Sequence, residues 1–165
     1  GPRGGLAPGG AAAAGMTGEI SLATPADLPR LFAVWESSVR ATHTFLTEAD
    51  LQALIPLVKA GLAAFEPLHV VREASGETVA FMGVAEGIVE MLFVHADHRG
   101  RGHGHRLLTH ALGEHGATRV DVNEQNPQAL AFYLRHGFRV VGRSPLDGQG
   151  QPFPILHLAL GEARR

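Results

Sequence analysis

The sequence predicts an α/β fold, an α+β mixed sheet with element order β-α-α-β-β-β-α-β-α-β-β, antiparallel at first and with one parallel crossover in its middle. Three observations carry that expectation. The apolar run from Ile88 to Val94 passes through a glycine-rich turn into an amphipathic helix, with Leu107, Leu108, Ala111 and Leu112 on one face. Short apolar runs bounded by turn residues flank it on both sides. A chain of 165 residues, 45% of them hydrophobic, can bury one sizeable core.

The elements follow in order. A first strand is expected over residues 19–23. Thr24-Pro25-Ala26-Asp27 then reads as a helix start: a cap, a proline at the first helical position and an acid at the third. That helix carries Leu28, Leu31, Phe32, Trp35 and Val39 on one face, and residues 41–46 read as a loop. A second helix starts at the cap Thr47, with Asp50 three residues on, and Pro56 should kink or split it. Strands at 68–71, 79–85 and 88–94 are separated by Ala74-Ser75-Gly76-Glu77 and Glu86-Gly87 turns. After the glycine-loop helix come a strand at 119–122, a helix at 126–136, and strands at 138–142 and 155–160.

Residues 1–15 are low in complexity, and four alanines are too short an apolar core for a signal peptide. Met16 is a candidate start, so residues 16–165 are expected to form a single domain in a soluble, cytoplasmic protein. No apolar run approaches a membrane span. A net charge of −2 gives no electrostatic case for nucleic acid. With no cysteine, disulfides, thiolate zinc sites and a thiol nucleophile are excluded.

The turn itself is Arg99-Gly100-Arg101-Gly102-His103-Gly104-His105. A glycine turn that opens a helix presents unpaired N–H groups at the positive end of the helix dipole, a site for a phosphate or pyrophosphate. The two arginines add charge. A P-loop is ruled out because Gly104 is followed by His-Arg rather than Lys-Ser or Lys-Thr, and alternate glycines have the wrong spacing for a dinucleotide fingerprint. R-x-x-G-x-G instead resembles the acetyl-CoA pyrophosphate loop of the GNAT acyltransferase superfamily.

A second segment is in register with the first. Asn126-Pro127-Gln128-Ala129-Leu130-Ala131-Phe132-Tyr133-Leu134-Arg135-His136-Gly137-Phe138 resembles the GNAT pattern N-x-x-A-x-x-F-Y-x-x-x-G-F. Local chemistry agrees: Asn126 suits an N-cap, Pro127 the first helical position and Gly137 the left-handed residue after the helix. Ala129 and Tyr133, four apart, share a helix face and leave a groove for a thin ligand. The resemblance runs from about Glu19 to Leu160. It is strongest to the bacterial YjaB-like branch, through residues 35–46, Asn123-Glu124-Gln125-Asn126 and Gly142-Arg143-Ser144.

The resemblance implies the GNAT acyl-CoA N-acyltransferase fold and acetyl transfer from acetyl-CoA to a primary amine, of a small molecule or of a protein lysine or N-terminus. It implies that Leu92, Phe93 and Val94 hold the pantetheine through their backbone and that Asn126 and Ala129 border CoA. Asn123 is a weaker candidate. Tyr133 is the implied general acid for the departing thiolate, since a phenol stays protonated at neutral pH. Glu90, in an E-x-L-F-V pattern, and His43 are rival bases. Thr42, His43 and Phe45 are expected to shape the acceptor site, and homodimers are common in the family.

His95, His98, His103, His105, His110 and His115 form a dense histidine stretch. A metal needs convergent side chains, and residues flanking an anion loop need not converge, so no metal is expected. Their partial protonation should instead strengthen diphosphate binding in mild acid. The alternative to an enzyme is a catalytically silent CoA-binding sensor or interaction module.

Overall fold

A computed structural model describes residues 19–161, so the low-complexity N-terminal segment lies outside the described residues. The elements are β1 (Ile20–Leu22), α1 (Leu28–Thr42), α2 (Glu48–Ala64), β2 (Leu68–Arg72), β3 (Thr78–Ala85), β4 (Ile88–Val94), α3 (His103–Glu114), β5 (Arg119–Asn123), α4 (Pro127–Arg135), β6 (Phe138–Ser144) and β7 (Ile155–Leu160). This is the expected order. One seven-stranded sheet runs β1-β2-β3-β4-β5-β7-β6. Every neighbouring pair is antiparallel except β4 and β5, whose connection contains α3.

Apolar side chains alternate across the sheet and fill two cores. On one face Leu31, Val34 and Trp35 of α1 pack with Leu51, Leu62, Val70 and Phe81. On the other, Leu107, Leu108 and Ala111 of α3 pack with Val71, Met82, Val120, Tyr133 and Leu158. Val70 and Val71 are both fully buried because each faces a different core. Complete burial of a leucine such as Leu31 contributes roughly 2 kcal/mol.

The helix signals hold with two corrections. Asp27 accepts from the Thr24 N–H at 2.7 Å, but the first turn there is 3₁₀ and α1 proper begins at Leu28. Thr47 and Asp50 cap α2 reciprocally, each bond 3.0 Å. Pro56 does not split α2, which continues to Ala64. The carbonyl it leaves unpaired, that of Gln52, belongs to an exposed turn where water can bond it. Likewise residues 41 and 42 are not loop; they complete α1, and the Thr42 hydroxyl donates to the Ser38 carbonyl at 2.8 Å.

One irregularity positions everything that follows. Val84 faces Val89 and Gly83 faces Met91, leaving Glu90 as an extra residue in β4. Such a bulge bends its strand and increases its twist. Pairing of β4 with β5 is limited to Ile88–Arg119 and Val89–Val120. Beyond Glu90 the two parallel strands diverge, and their facing backbone groups are left open.

Candidate active site

The gap between the diverging strands continues into a cleft of about 630 Å³. Its walls are β4 from Val89 to Val94, β5 from Val120 to Asn123, the start of α3 and one face of α4. Ligands in α/β sheets bind at the carboxyl ends of parallel strands, where a strand pair leaves a crevice.

Gly100 and Gly102 have φ of +78° and +84°, the left-handed region that penalises any side chain. Gly102 is the N-cap of α3, so the N–H groups of His103, Gly104 and His105 have no partner within the helix. Gly104 differs: a Cβ there would lie 3.4 Å from the Phe132 ring, in ordinary contact with α4.

The two loop arginines separate. Arg99 lines the cleft and donates to Gln128 Oε1 at 3.1 Å. Arg101 faces away, 3.2 Å from Glu73, and is not among the cleft residues. The histidines separate too. His103 is buried, with neither ring nitrogen hydrogen-bonded. Burial lowers its pKa, which opposes the gain of charge in mild acid expected of the loop histidines. His105 Nδ1 lies 2.8 Å from His136 Nε2, and His136 Nδ1 lies 2.7 Å from the Phe132 carbonyl. A carbonyl only accepts, so His136 donates to it and receives the His105 Nδ1–H.

Asn126 caps α4, its Oδ1 accepting from the Ala129 N–H at 3.2 Å. Ala129 and Tyr133 both line the cleft one turn apart. The Tyr133 ring is held edge-on between Phe132 at 5.1 Å and Phe138 at 5.5 Å. Burial pushes its phenol pKa well up, which keeps it protonated.

Glu90, Thr42 and His43 also line the cleft. Burial lowers the His43 pKa. Phe45 does not reach the main cleft; its ring packs between His43 at 5.3 Å and Phe153 at 5.6 Å.

The chain matches the GNAT acetyltransferase domain model over residues 66–140. It is 42% identical to the peptidyl-lysine N-acetyltransferase YjaB of Salmonella typhimurium over 129 residues, which span 78% of this chain and 88% of that one. The chain belongs to the GNAT acetyltransferase family. The solution structure of apo-form YjaB from Escherichia coli superposes with a TM-score of 0.82 at 38% identity, covering 88% of this chain and 98% of that one. A Thermoplasma acidophilum N-acetyltransferase solved with coenzyme A shares the fold, at a TM-score of 0.63 and 19% identity, covering 84% of this chain and 96% of that one. The protein is therefore an N-acetyltransferase, as the resemblance implied.

Several cleft residues of this acetyltransferase escaped the sequence reading. Gln128 and His136 hold Arg99 and His105, and Phe132 packs on Gly104. Asp121 lines the cleft and accepts from His157 at 2.7 Å, while His157 Nε2 lies 2.7 Å from the Ser144 hydroxyl. The parallel β4-α3-β5 crossover was the available signal, since it marks the end of β5 as a cleft wall. Among the described residues no helix is long and apolar enough to cross a membrane.

Proposed function

We propose that the enzyme passes the acetyl group of acetyl-CoA directly to the side-chain amine of a protein lysine, within a ternary complex. One observation carries this reading: the glycine loop, the open edge of β4, Tyr133, Glu90 and His43 all border one cleft. The N–H groups of residues 103–105 and Arg99 take the diphosphate. Leu92, Phe93 and Val94 offer backbone groups to the pantetheine amides, and Ala129 gives the chain room beside Tyr133.

The amine nitrogen attacks the thioester carbonyl, and its proton passes to Glu90 or His43. The tetrahedral oxyanion collapses, the C–S bond breaks, and the Tyr133 phenol gives its proton to the leaving thiolate. Holding both reactants in one cleft makes the transfer effectively unimolecular. Without cysteine, no thiol acetyl-enzyme can form.

Glu90 and Asp121 are the acids bordering the cleft, whereas Arg99 and Arg135 are its arginines. Carboxylates suit a cationic acceptor, and guanidinium groups suit a diphosphate. The lysine assignment also draws on the peptidyl-lysine activity for which the Salmonella relative is named.

Lysine peptides with blocked N-termini, incubated with acetyl-CoA, should gain one acetyl group by mass spectrometry as thiol is released. Turnover of small amines with no peptide acetylation would move the acceptor to a small molecule. CoA binding without thiol release from any amine would leave the sensor reading.

A further inference from the structure

The far end of α3 holds a second cluster of chemistry-bearing side chains. His110 lies in the penultimate turn of α3, His115 is its C-cap residue, and His69 comes from β2. One ring nitrogen from each lies within 4.8 Å of the others. The ring centroids are 4.6 Å apart for His69 and His115, 4.9 Å for His110 and His115, and 5.3 Å for His69 and His110. None of the three borders the acetyl-CoA cleft. The twelve residues of α3 separate Gly102 from His115, roughly 18 Å along the axis.

His110 and His115 belong to the histidine stretch that need not converge by its spacing alone. The fold brings these two together with a third imidazole, supplied by β2. His69 pairs with Met82 across the sheet and shares the α3-facing side with Val71, a position where a strand of this composition would normally carry an aliphatic residue. It is only 8% exposed, and its Nδ1 is buried with no hydrogen-bond partner. A buried polar atom left unpaired costs about 1–3 kcal/mol, so the fold retains this imidazole at a loss in stability.

We infer that His69, His110 and His115 form a binding site for one zinc-class divalent cation that ties β2 to the C-terminal end of α3. Three imidazoles with a fourth position open to water are a recurrent zinc donor set. A tetrahedral site with metal–nitrogen bonds of about 2.1 Å needs nitrogens about 3.4 Å apart, so the cluster would tighten by at most about 1.4 Å. His115 is exposed and already packs on both other rings, whereas His69 is fixed by the sheet. Imidazole donors suit zinc, and equally nickel, copper or cobalt, over magnesium or calcium.

The test uses the whole chain titrated with zinc, followed by calorimetry, thermal melting and imidazole nitrogen resonances. The expected result is one zinc per chain, a raised melting temperature reversed by chelator, and shifts confined to these three rings. His115→Asn, at an exposed position, should weaken binding at least tenfold, as should His110→Gln, while a His105→Gln/His136→Gln control keeps it. Absence of stoichiometric binding would overturn the inference. So would full affinity in both His115→Asn and His110→Gln, or resonance shifts at other histidines.

Discussion

His43 donates its Nδ1–H to the Thr42 hydroxyl across 2.8 Å, because the Thr42 proton is already committed to the Ser38 carbonyl. Each hydroxyl has one proton, so the direction of both bonds follows. The neutral ring is thereby held with Nε2 unprotonated, the tautomer a base requires.

That relationship separates the two rival bases. With His43 as base, kcat/KM falls on the acid side below the ordinary imidazole pKa of 6.5, since burial lowers it. His43→Ala should then abolish that limb, and Glu90→Gln should leave it in place. Thr42→Val frees the ring to adopt either tautomer and should reduce kcat about fivefold, the value of one hydrogen bond near 1 kcal/mol. The opposite pattern in pH–rate profiles would make Glu90 the base.

Tyr133→Phe keeps the ring that Phe132 and Phe138 enclose and removes only the proton donor. CoA affinity by calorimetry should stay within about twofold, while kcat drops by about 10² or more, the usual contribution of a positioned general acid. A variant turning over at the parent rate would exclude the role.

Features set by nearest neighbours in the chain were legible before the fold. Asn126 as cap, Gly137 in the left-handed region and Thr47 with Asp50 each depend on residues within one turn. Features set by register were not. Glu90 reaches the cleft on a bulge created by how Gly83 and Val84 pair across the hairpin, and nothing in E-x-L-F-V announces an extra residue. Arg101 looked equivalent to Arg99 until Glu73, 28 positions away, claimed it. Phe153 against Phe45, and His69 against His110 and His115, are contacts that only the folded sheet creates.

Acid should destabilise the protein in two separate windows. His43, His69, His103 and His110 all have pKa values lowered from 6.5, so the unfolded chain binds more protons as pH falls through that value. Stability therefore rises with pH there, is complete above 6.5, and is lost toward the lower folded values. Asp27 is held down to about 2 from 3.8, chiefly by the Arg72 guanidinium, which binds it at 2.9 and 3.0 Å. Its contribution persists above 3.8 and is lost as pH falls toward 2. Thermal melting should show the first decline, and His103→Leu should flatten it, raising the melting temperature more at about pH 5.5 than at about pH 7.5. An equal shift at both values would mean that His103 packing, not its protonation, sets the difference. Asp27→Asn should cost on the order of 1 kcal/mol at neutral pH, because Asp27 is half-buried and its charge-assisted pair is lost.

The loop arginines offer the sharpest check on how the diphosphate is held. Both were equal candidates by sequence, yet Arg99 borders the cleft and Arg101 is engaged with Glu73 and with His98 at 3.0 Å. A guanidinium aimed at a phosphate contributes about 1.5–3 kcal/mol as a charge-assisted bond. Arg99→Ala should therefore raise the acetyl-CoA KM by about ten- to a hundredfold, with little change in kcat, because uniform binding is what it removes. The loss should shrink as salt is added. Arg101→Ala should leave KM within about twofold, since its partner lies outside the cleft and exposed ion pairs contribute little. If the two variants lose acetyl-CoA affinity equally, Arg101 must swing from Glu73 to the phosphates on binding. Glu73→Gln would then tighten CoA by freeing it, which the same kinetic measurement would detect.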